Sequence, residues 1–318
     1  MKKILCIGEA LIDMICTDKG SALSDGNHFL KKAGGAPMNV AAAIAALGGD
    51  VAVSAKVGAD PFGKHLIEVL NSFKVDTTQV LTDQDQFTTF AFVSLMENGE
   101  RDFYFNRGAD RMLSEADISN IKVKDFGIAH FGSATAFLPG PLQSAYSYLL
   151  NKAKSENLFI SFDPNYRQLL FGNNHPEFIK RSWEFIKKAD FFKVSDEEAL
   201  LITETTTIEE AAQVFFNNSS AVFAITLGKE GTLLGWNNKT SIIPSIPIQP
   251  VDTTGAGDAF VGAVLYQLAQ HSKSEIEELQ EDDWKLIFNK ANKAGARTCE
   301  YMGAMEAFKH LSNDIFNS

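Results

Sequence analysis

Basic clusters and long apolar runs are both missing from this chain of 318 residues. Lysine and arginine total 29 against 40 aspartates and glutamates, a net charge of −11 with no cationic segment to offset it. A nucleic-acid-binding protein needs a basic face for the phosphate backbone, so this class is not favoured. No apolar stretch approaches the roughly 20 residues of a membrane-spanning helix. The composition therefore favours a protein that binds neither nucleic acid nor a membrane.

Cysteine and histidine are too few and too scattered to predict a disulfide framework or a zinc site. Cys6, Cys16 and Cys299 are an odd number of cysteines without a CxxC pair, which is typical of a reducing compartment. The six histidines form no HxxxH pair. The start, "MKKILCIGEALIDMI", resembles a signal peptide until Glu9 interrupts it, and no small-residue cleavage site follows. We interpret it as the first buried strand of a cytoplasmic protein, with Cys6 in the core.

Two familiar nucleotide-binding patterns are incomplete. The segment "GADPFGKH" at 58–65 matches GxxxxGK, but His65 stands where a P-loop places a hydroxyl group for magnesium. Pro61 and Phe62 occupy positions where bare backbone amides would hold phosphate, so we predict a turn and a helix start instead. The first strand is followed by a single glycine rather than GxGxxG, which does not support a dinucleotide dehydrogenase.

Short apolar runs alternate with segments of helical periodicity along most of the chain, which predicts an α/β fold with a mostly parallel sheet between two helical layers. The length allows one large α/β domain with an appendage. The predicted strands cover 3–9, 51–58, 127–133, 158–164, 189–195 and 222–228, and the predicted helices cover 36–49, 139–156, 176–187, 196–203, 207–217, 256–270 and 284–300. Ligands collect at the carboxyl ends of such strands, where Asp163, Ser195 and Gly228 stand.

Two segments interrupt this alternation and predict a small separate β-sheet. Residues 88–107 alternate with period two around Asn98-Gly99, a strong hairpin turn signal, and residues 11–35 are also strand-like. So many aromatic residues in a short hairpin need something to cover, so we predict a lid made of 11–35 and 88–107. The main domain then comprises 1–10, 36–87 and 108–318. The alternative is that these strands extend the main sheet.

The segment "PVDTTGAGDAFVG" at 250–262 predicts an anion site at the start of a helix. First-turn amides lack internal partners and carry partial positive charge, and Gly255 and Gly257 let an anion approach them closely. An aspartate beside that anion is unfavourable unless Asp258 takes a proton, as a hydroxyl nucleophile attacking phosphorus requires. The alternative is that Thr253, Thr254 and Asp258 only cap the helix.

Two segments resemble the signatures of the ribokinase-type (PfkB) carbohydrate kinases: "GGAPMNVAAAIAALGG" at 34–49 and "DTTGAGDAF" at 252–260. The resemblance spans almost the whole chain and is closest to bacterial fructokinases. It implies a ribokinase-like three-layer sandwich with a small antiparallel β-sheet lid, and ATP-dependent phosphorylation of a sugar hydroxyl. Asp258 matches the catalytic base of the family, and Gly255, Ala256 and Gly257 match its anion hole.

The same resemblance suggests residues for the nucleotide. Thr226, Gly228 and Gly231 in "TLGKEG" match a turn that lines the ATP site, together with Gly255 and Gly257 of the anion hole. The alternative for "TLGKEG" is a connection between two strands of a hairpin, and both descriptions are compatible. Asn292 in "KANKAGA" resembles the asparagine on the helix that flanks the adenine.

Two further sets of residues match metal-binding motifs of the family. "KVSDEEAL" at 193–200 resembles a motif that organises Mg²⁺ through water, with Glu198 in the glutamate position and Ser195 where an asparagine usually stands. The alternative is that the acidic run only favours a helix N-terminus. Asp252, Thr254 and Gly303 match the loop pair that binds a monovalent cation such as K⁺ in this family.

Three clusters are candidates for contacting the sugar. Gly34 and Gly35 let the backbone approach a polyol, and Asn39 offers a donor and an acceptor together. Asp13 is suited to accept from two adjacent hydroxyl groups. "DPNYR" at 163–167 resembles a fructokinase stretch in which Asn165 and Arg167 contact the sugar and the transferring phosphoryl group. From the lid, Arg107 and either Phe105 or Tyr104 are expected to close over the substrate.

Charge acts in two directions on an acidic sugar, whereas the "FYFNRGAD" lid and Asp13 together resemble fructokinase more closely. Asp13 would repel the carboxylate of 2-keto-3-deoxygluconate, whereas Arg107 and Arg167 would attract it. We predict a fructokinase, with a 2-keto-3-deoxygluconate kinase or another sugar or nucleoside kinase of the family as the alternative. A sugar sensor on an inactive scaffold would be expected to lack Asp258 or the glycine pair. The resemblance also implies a homodimer formed through the lid.

Overall fold

The computed structural model describes residues 1–96, 101–172 and 174–316, and within these ranges the strands form a nine-stranded and a four-stranded sheet. The strands are β1 Ile4–Ile7, β2 Leu11–Cys16, β3 Phe29–Gly34, β4 Val51–Gly58, β5 Asp76–Asp83, β6 Phe90–Leu95, β7 Arg101–Asn106, β8 Ile128–Phe131, β9 Phe159–Phe162, β10 Phe191–Ser195, β11 Val222–Thr226, β12 Thr232–Trp236 and β13 Lys239–Ile243. The α-helices are α1 Ala36–Ala46, α2 Pro61–Ser72, α3 Glu115–Ile118, α4 Pro141–Ser155, α5 Gln168–Phe171, α6 His175–Ile186, α7 Asp196–Thr203, α8 Ile208–Asn218, α9 Ala256–Leu268, α10 Lys273–Glu277, α11 Glu281–Thr298 and α12 Ala304–Phe308. Short 3-10 helices cover Ala109–Met112, Val123–Asp125, Gly228–Glu230 and Asn313–Phe316.

The larger sheet has the strand order β13-β12-β11-β10-β9-β8-β1-β4-β5. Its strands are parallel except for the antiparallel hairpin pairs at the β12–β13 end. Helices cover both faces: Ile4 and Cys6 of β1 join one buried core, and Leu5 and Ile7 join the other. The three-layer α/β fold predicted from the alternation is therefore confirmed, and Cys6 is buried as expected.

The smaller sheet has the order β3-β2-β6-β7 and is separate from the main one, so its strands do not extend the main sheet. We call these four strands the lid. The prediction of a purely antiparallel lid was wrong in one respect, because the central pair β2–β6 is parallel. Both strands enter the lid directly from the main sheet, so they run in the same direction. The turn predicted at Asn98-Gly99 lies outside the described residues.

Strand β5, at the edge of the main sheet, was not predicted from the sequence. β5 has the sequence "DTTQVLTD", which lacks the apolar run of a central strand because an edge strand is covered on one side only. The segment that resembles a P-loop forms the start of α2, where the Asp60 carboxylate accepts from the amides of Phe62 and Gly63 at 2.9 and 2.8 Å. Within the described residues, no helix is both long and apolar enough to cross a membrane.

Candidate active site

The first turn of α9 presents backbone amides at the mouth of the site. Gly255 precedes the helix with φ +83°, a left-handed conformation that glycine adopts without strain, and a Cβ there would collide with the Cβ of Ala304. The amide of Ala256 donates to the Thr253 carbonyl at 3.2 Å. The amides of Gly257 and Asp258 have no acceptor among the described residues. These two groups are free to bind an anion.

Asp258 is joined to the other signature segment. Asn39 of α1 donates from Nδ2 to Asp258 Oδ2 at 2.8 Å, across a sequence separation of 219 residues. Both side chains are more than nine-tenths buried, and the Asn39 Oδ1 atom has no partner within the described part of the chain. Burial raises the pKa of Asp258, while the hydrogen bond from Asn39 and the charges of Arg167 and Lys193 oppose the rise. A carboxylate with a raised pKa at an anion site is suited to accept a proton.

A lysine that sequence reasoning did not assign to the site lies beside these amides. Lys193, at 7% exposure in β10, places its Nζ 3.2 Å from Asp163 Oδ2. The same Nζ is 3.3 Å from where a Cβ on Gly257 would stand. Burial lowers the pKa of Lys193, but the nearby carboxylates of Asp163, Glu198 and Asp258 outweigh it and raise the pKa. The ammonium group therefore stays charged next to the anion site. The signal was a charged residue within the buried strand "FFKVS".

The lid contributes Asp13, whose side chain lies against Gly34 of β3. Its Oδ2 atom lies 2.1 Å from where a Cβ on Gly34 would stand, so a side chain at position 34 would displace the Asp13 carboxylate. Gly35 has φ +107°, and a Cβ on it would lie 2.5 Å from the Glu9 carbonyl. Burial raises the pKa of Asp13 to about 7, Arg167 opposes the rise and Glu9 adds to it. Arg167 thus opposes the rise in the pKa of both Asp13 and Asp258.

The loop after β9 carries Asn165 and Arg167. Asn165 adopts φ +46° and is 5% exposed, and it donates from Nδ2 to the Gly132 carbonyl at 2.8 Å. Arg167 is exposed, and its guanidinium donates to the Tyr166 carbonyl at 2.9 Å and to Asn165 Oδ1 at 3.5 Å. The exposed guanidinium retains donors for an incoming anion.

Glu198 holds this loop against the start of α7. Its two carboxylate oxygens accept from the amides of Tyr166 and Ser195, each at 2.7 Å. The Ser195 hydroxyl accepts from the Glu198 amide in return, which completes a capping box. The structure therefore contains the alternative arrangement, in which this acidic run lies at a helix N-terminus. The role of Glu198 toward Mg²⁺ through water stays a prediction.

The predicted nucleotide residues cluster around the β11–β12 connection. Thr226 ends β11, and Gly228, with φ +57°, has open space where a Cβ would project. Gly231 has φ +108° and packs against the backbone of residues 243–245, at the end of β13 and directly after it. Asn292 accepts from the Thr232 hydroxyl at 2.7 Å and donates to the Ile243 carbonyl at 2.9 Å, so it ties α11 to this hairpin. "TLGKEG" thus connects two strands, while its contacts with ATP stay a prediction.

Asp252 joins two loops near the start of α9. One carboxylate oxygen accepts from the Thr254 amide and hydroxyl at 3.0 and 2.7 Å, and the other accepts from the Gly303 amide at 2.8 Å. This arrangement fixes the two loops relative to each other. Among the described residues, no group of three or more His, Cys, Asp or Glu side chains is arranged to hold a metal. A monovalent cation here would use backbone and hydroxyl oxygens, and that role stays a prediction.

Comparison with known proteins shows the family to which this chain belongs. The model of the pfkB family of carbohydrate kinases matches residues 1–310. This chain belongs to the pfkB family. It is 35% identical to the probable fructokinase-2 of Arabidopsis thaliana over 307 residues, which cover 96% of this chain and 92% of that one.

Two solved structures of fructokinases are similar to this one. The ATP-bound fructokinase of Xylella fastidiosa has a TM-score of 0.87 at 27% identity, covering 99% of this chain and 97% of that one. A double mutant of the Vibrio cholerae O395 fructokinase, bound to fructose, ADP and potassium ion, has a TM-score of 0.83 at 29% identity, covering 100% and 97%. The protein is a carbohydrate kinase of the pfkB family with a ribokinase-like fold.

Phe105 of the lid and Arg107, which follows β7, lie differently from the other predicted site residues of this pfkB kinase. Arg107 donates from Nε to Asp110 Oδ2 at 3.0 Å, and from its other nitrogens to the carbonyls of Thr135 and Pro139 at 3.0 and 2.9 Å. Its guanidinium is thus engaged within the chain. Phe105 stacks on Phe103 with ring centroids 6.1 Å apart. Their contacts with a substrate stay predictions.

Proposed function

We propose that this carbohydrate kinase is a fructokinase that transfers the γ-phosphate of ATP to a hydroxyl group of D-fructose. The observation that supports it most directly is the Asn39–Asp258 pair, 2.8 Å apart, beside the free amides of α9. The fructokinase names of its relatives support the choice of fructose.

The proposed reaction uses Asp258 as the general base. The sugar oxygen bonds to the γ-phosphorus as the bond to the bridging oxygen of ADP breaks, and the hydroxyl proton passes to Asp258. Asn39 fixes the carboxylate through its Nδ2. The amides of Gly257 and Asp258 and the ammonium group of Lys193 would balance the negative charge of the phosphoryl group. Arg167 would add a cation from the solvent side.

The residues present fit a magnesium ion that enters with ATP rather than a metal held by the protein alone. Such an ion keeps several waters and needs only one or two carboxylates besides the substrate phosphates. Glu198 is the carboxylate proposed to hold one of these waters, and it is already fixed by two amides at 2.7 Å. When bound, Mg²⁺ would screen the charges of the phosphates. The loops of Asp252 and Gly303 are proposed to bind K⁺.

The acidic group in the lid favours a neutral sugar. A substrate carboxylate beside ionised Asp13 would meet a repulsion of about 4 kcal/mol at ~4 Å and an effective dielectric constant of about 20. Arg167 reduces this repulsion by its own charge. A ketose such as fructose presents adjacent hydroxyl groups instead, and these can donate to the carboxylate.

A panel of acceptors tests the proposal. Purified protein with MgATP should release ADP fastest with D-fructose, compared with ribose, adenosine and 2-keto-3-deoxygluconate, and mass spectrometry should identify a fructose phosphate. Potassium and magnesium should each be varied in the same assay. Preference for 2-keto-3-deoxygluconate or adenosine would replace fructokinase by that kinase. Turnover of none of the acceptors, with binding retained, would indicate a sugar sensor.

We also propose a homodimer formed through the lid, in a reducing compartment such as the cytoplasm. Leu95 and Tyr104 of the lid are 60% and 58% exposed, an apolar surface that a second copy would cover. The three cysteines are free. Light scattering should give twice the mass of one chain, and Tyr104→Asp should reduce it to one.

A further inference from the structure

The carboxylate of Glu9 is buried where the chain first passes from the main sheet into the lid. Its Oε1 atom accepts from the amides of Ala36 and Ala134, each at 3.2 Å. Its Oε2 atom accepts from the Ser133 hydroxyl and lies 3.4 Å from the hydroxyl oxygen of Thr135. Glu9 is 1% exposed, so all of these contacts are shielded from water. The side chain thereby links the β1–β2 connection, through which the chain enters the lid, to the start of α1, where the chain returns from the lid after β3.

A second buried carboxylate, Asp110, lies at the other two connections between the main sheet and the lid. Asp110 accepts from the Thr89 hydroxyl on one oxygen, and from Arg107 Nε at 3.0 Å and the Thr135 hydroxyl at 2.9 Å on the other. The Thr89 hydroxyl also accepts from the Gly108 amide at 2.9 Å. Thr89 leads into β6, and residues 107–108 follow β7.

Thr135 connects these two halves into one network. Its hydroxyl oxygen lies 2.9 Å from Asp110 Oδ2 and 3.4 Å from Glu9 Oε2. All four passages of the chain between the main sheet and the lid therefore meet in a single set of buried hydrogen bonds. We propose that Glu9, Thr135 and Asp110 are positioning residues that hold the lid, and with it Asp13, at the correct angle over Asp258. The kinetic part of this inference rests on the proposed fructokinase function.

The charges indicate a role beyond stability. Burying carboxylates is unfavourable relative to packing apolar groups of the same shape, but a satisfied polar network specifies one geometry. Within the described residues, Arg107 is the cation bonded to Asp110, whereas Glu9 is held by neutral donors. Burial raises the pKa of Glu9, and Asp110 adds to the rise. Glu9 also raises the pKa of Asp13, which Arg167 opposes, so the network and the sugar site are electrostatically linked.

Two changes test this proposal against a matched control. Thr135→Val removes the shared hydroxyl while preserving the shape of the side chain. Glu9→Ala removes the first carboxylate, and Glu9→Gln preserves an acceptor for the two amides. The control is Ser182→Ala, a fully buried serine in α6 whose hydroxyl donates to the Phe178 carbonyl at 2.9 Å, outside the network.

The expected result is a loss specific to the sugar. Thr135→Val and Glu9→Ala should lower kcat/KM for fructose about tenfold, since the lid would spend less time in the competent position. Glu9→Gln should recover most of the loss and shift the pH profile of kcat/KM toward lower pH, because Glu9 no longer raises the pKa of Asp13. Calorimetric binding of ADP without sugar should change less than twofold, and Ser182→Ala should change neither quantity.

Hydrogen exchange of the free protein provides a readout that does not depend on activity. Amides of β2 and β6 should exchange about tenfold faster in Thr135→Val than in Ser182→Ala, when each variant is measured at the same interval below its own melting temperature. Equal exchange rates in the two variants would overturn the proposal. Faster exchange in a protein that phosphorylates no sugar would instead refute the fructokinase assignment and retain the anchored lid.

Discussion

At the scale of single residues, the site depends on carboxylates placed in two different surroundings. Asp258 is buried and held by Asn39 at 2.8 Å, next to amides that carry partial positive charge. Asp13 lies in the lid, with Gly34 leaving it room. Burial raises the pKa of both groups, and Arg167 opposes the rise in both. We propose that Asp258 takes the proton and that Asp13 binds hydroxyl groups of the sugar.

Asp258→Asn should abolish turnover with little change in the fold. Because the amide group cannot take the proton, we expect kcat to fall by about 10²- to 10⁴-fold while the melting temperature and fructose affinity remain close to those of the wild type. Steady-state kinetics and calorimetry measure these quantities. Asp282→Asn is the matched control, since this aspartate is also in a first helical turn but is 96% exposed. A variant that retains more than about a tenth of kcat would exclude Asp258 as the base.

Fructose binding should depend on the ionisation of Asp13. Its pKa is raised to about 7, so only above that pH is it fully able to accept hydrogen bonds from the sugar. We expect kcat/KM of the wild type for fructose to rise between about pH 6 and about pH 8. Asp13→Asn should have a lower kcat/KM, and its pH profile should lack the part of the rise that the ionisation of Asp13 causes. The rise in the pKa of Asp258 acts in the same direction, so the comparison with the variant isolates Asp13. An unchanged profile in Asp13→Asn would assign the inflection to another group.

At the scale of elements, the start of α9 uses its two glycines for different purposes. Gly255 has φ +83° and no room for a Cβ beside Ala304, so its role is conformational. Gly257 lies within the helix without a positive φ, and its Cβ would lie 3.3 Å from the Lys193 ammonium group. The absence of a side chain on Gly257 therefore keeps the space between its amide and the Lys193 ammonium group open.

The two glycines should respond differently to alanine. Gly257→Ala should lower kcat by about 100-fold, because a methyl group would stand at the anion site. The same change should leave thermal stability equal or slightly higher, since alanine is favoured over glycine in helices by up to about 1 kcal/mol. Gly255→Ala should lower stability by about 1 to 3 kcal/mol through strain. Thermal unfolding and kcat of both variants test this; equal stability of the two would contradict it.

At the scale of the whole molecule, Asp13 of the lid makes the stability of the fold depend on pH. Asp13 has an ordinary pKa of 3.8, raised to about 7 in the folded protein. Between these pH values the folded state holds a proton that the unfolded state has released, so the stabilisation is present at low pH and is lost as the pH rises toward 7.

Asp13→Asn should therefore change how stability depends on pH. The free energy of unfolding of the wild type should fall relative to that of the variant as the pH is raised from about 4 to about 7, and the difference should then level off. Urea unfolding at each pH, without sugar or nucleotide, measures it. A difference between the two proteins that stays constant over this range would show that the pKa of Asp13 is not raised by folding.

The order of strands and helices could be predicted from the sequence because it depends on local periodicity. The alternation of apolar strands and helical segments predicted the three-layer α/β fold, and two signature segments predicted the pfkB family; both are confirmed. The polar edge strand β5 and the parallel β2–β6 pair were not predicted, since neither leaves a distinctive local pattern.

Only the tertiary structure decided which polar groups meet. It brought Asn39 to Asp258, Lys193 to Gly257, and Glu9 to Thr135, over separations that no local pattern encodes. It also engaged the guanidinium group of Arg107 with Asp110 and two carbonyls of its own chain. The sequence by itself determined the elements and the type of chemistry, because backbone preferences and turn residues act within a few positions. The partner of a buried charge depends on how distant segments pack, and packing is a property of the folded chain.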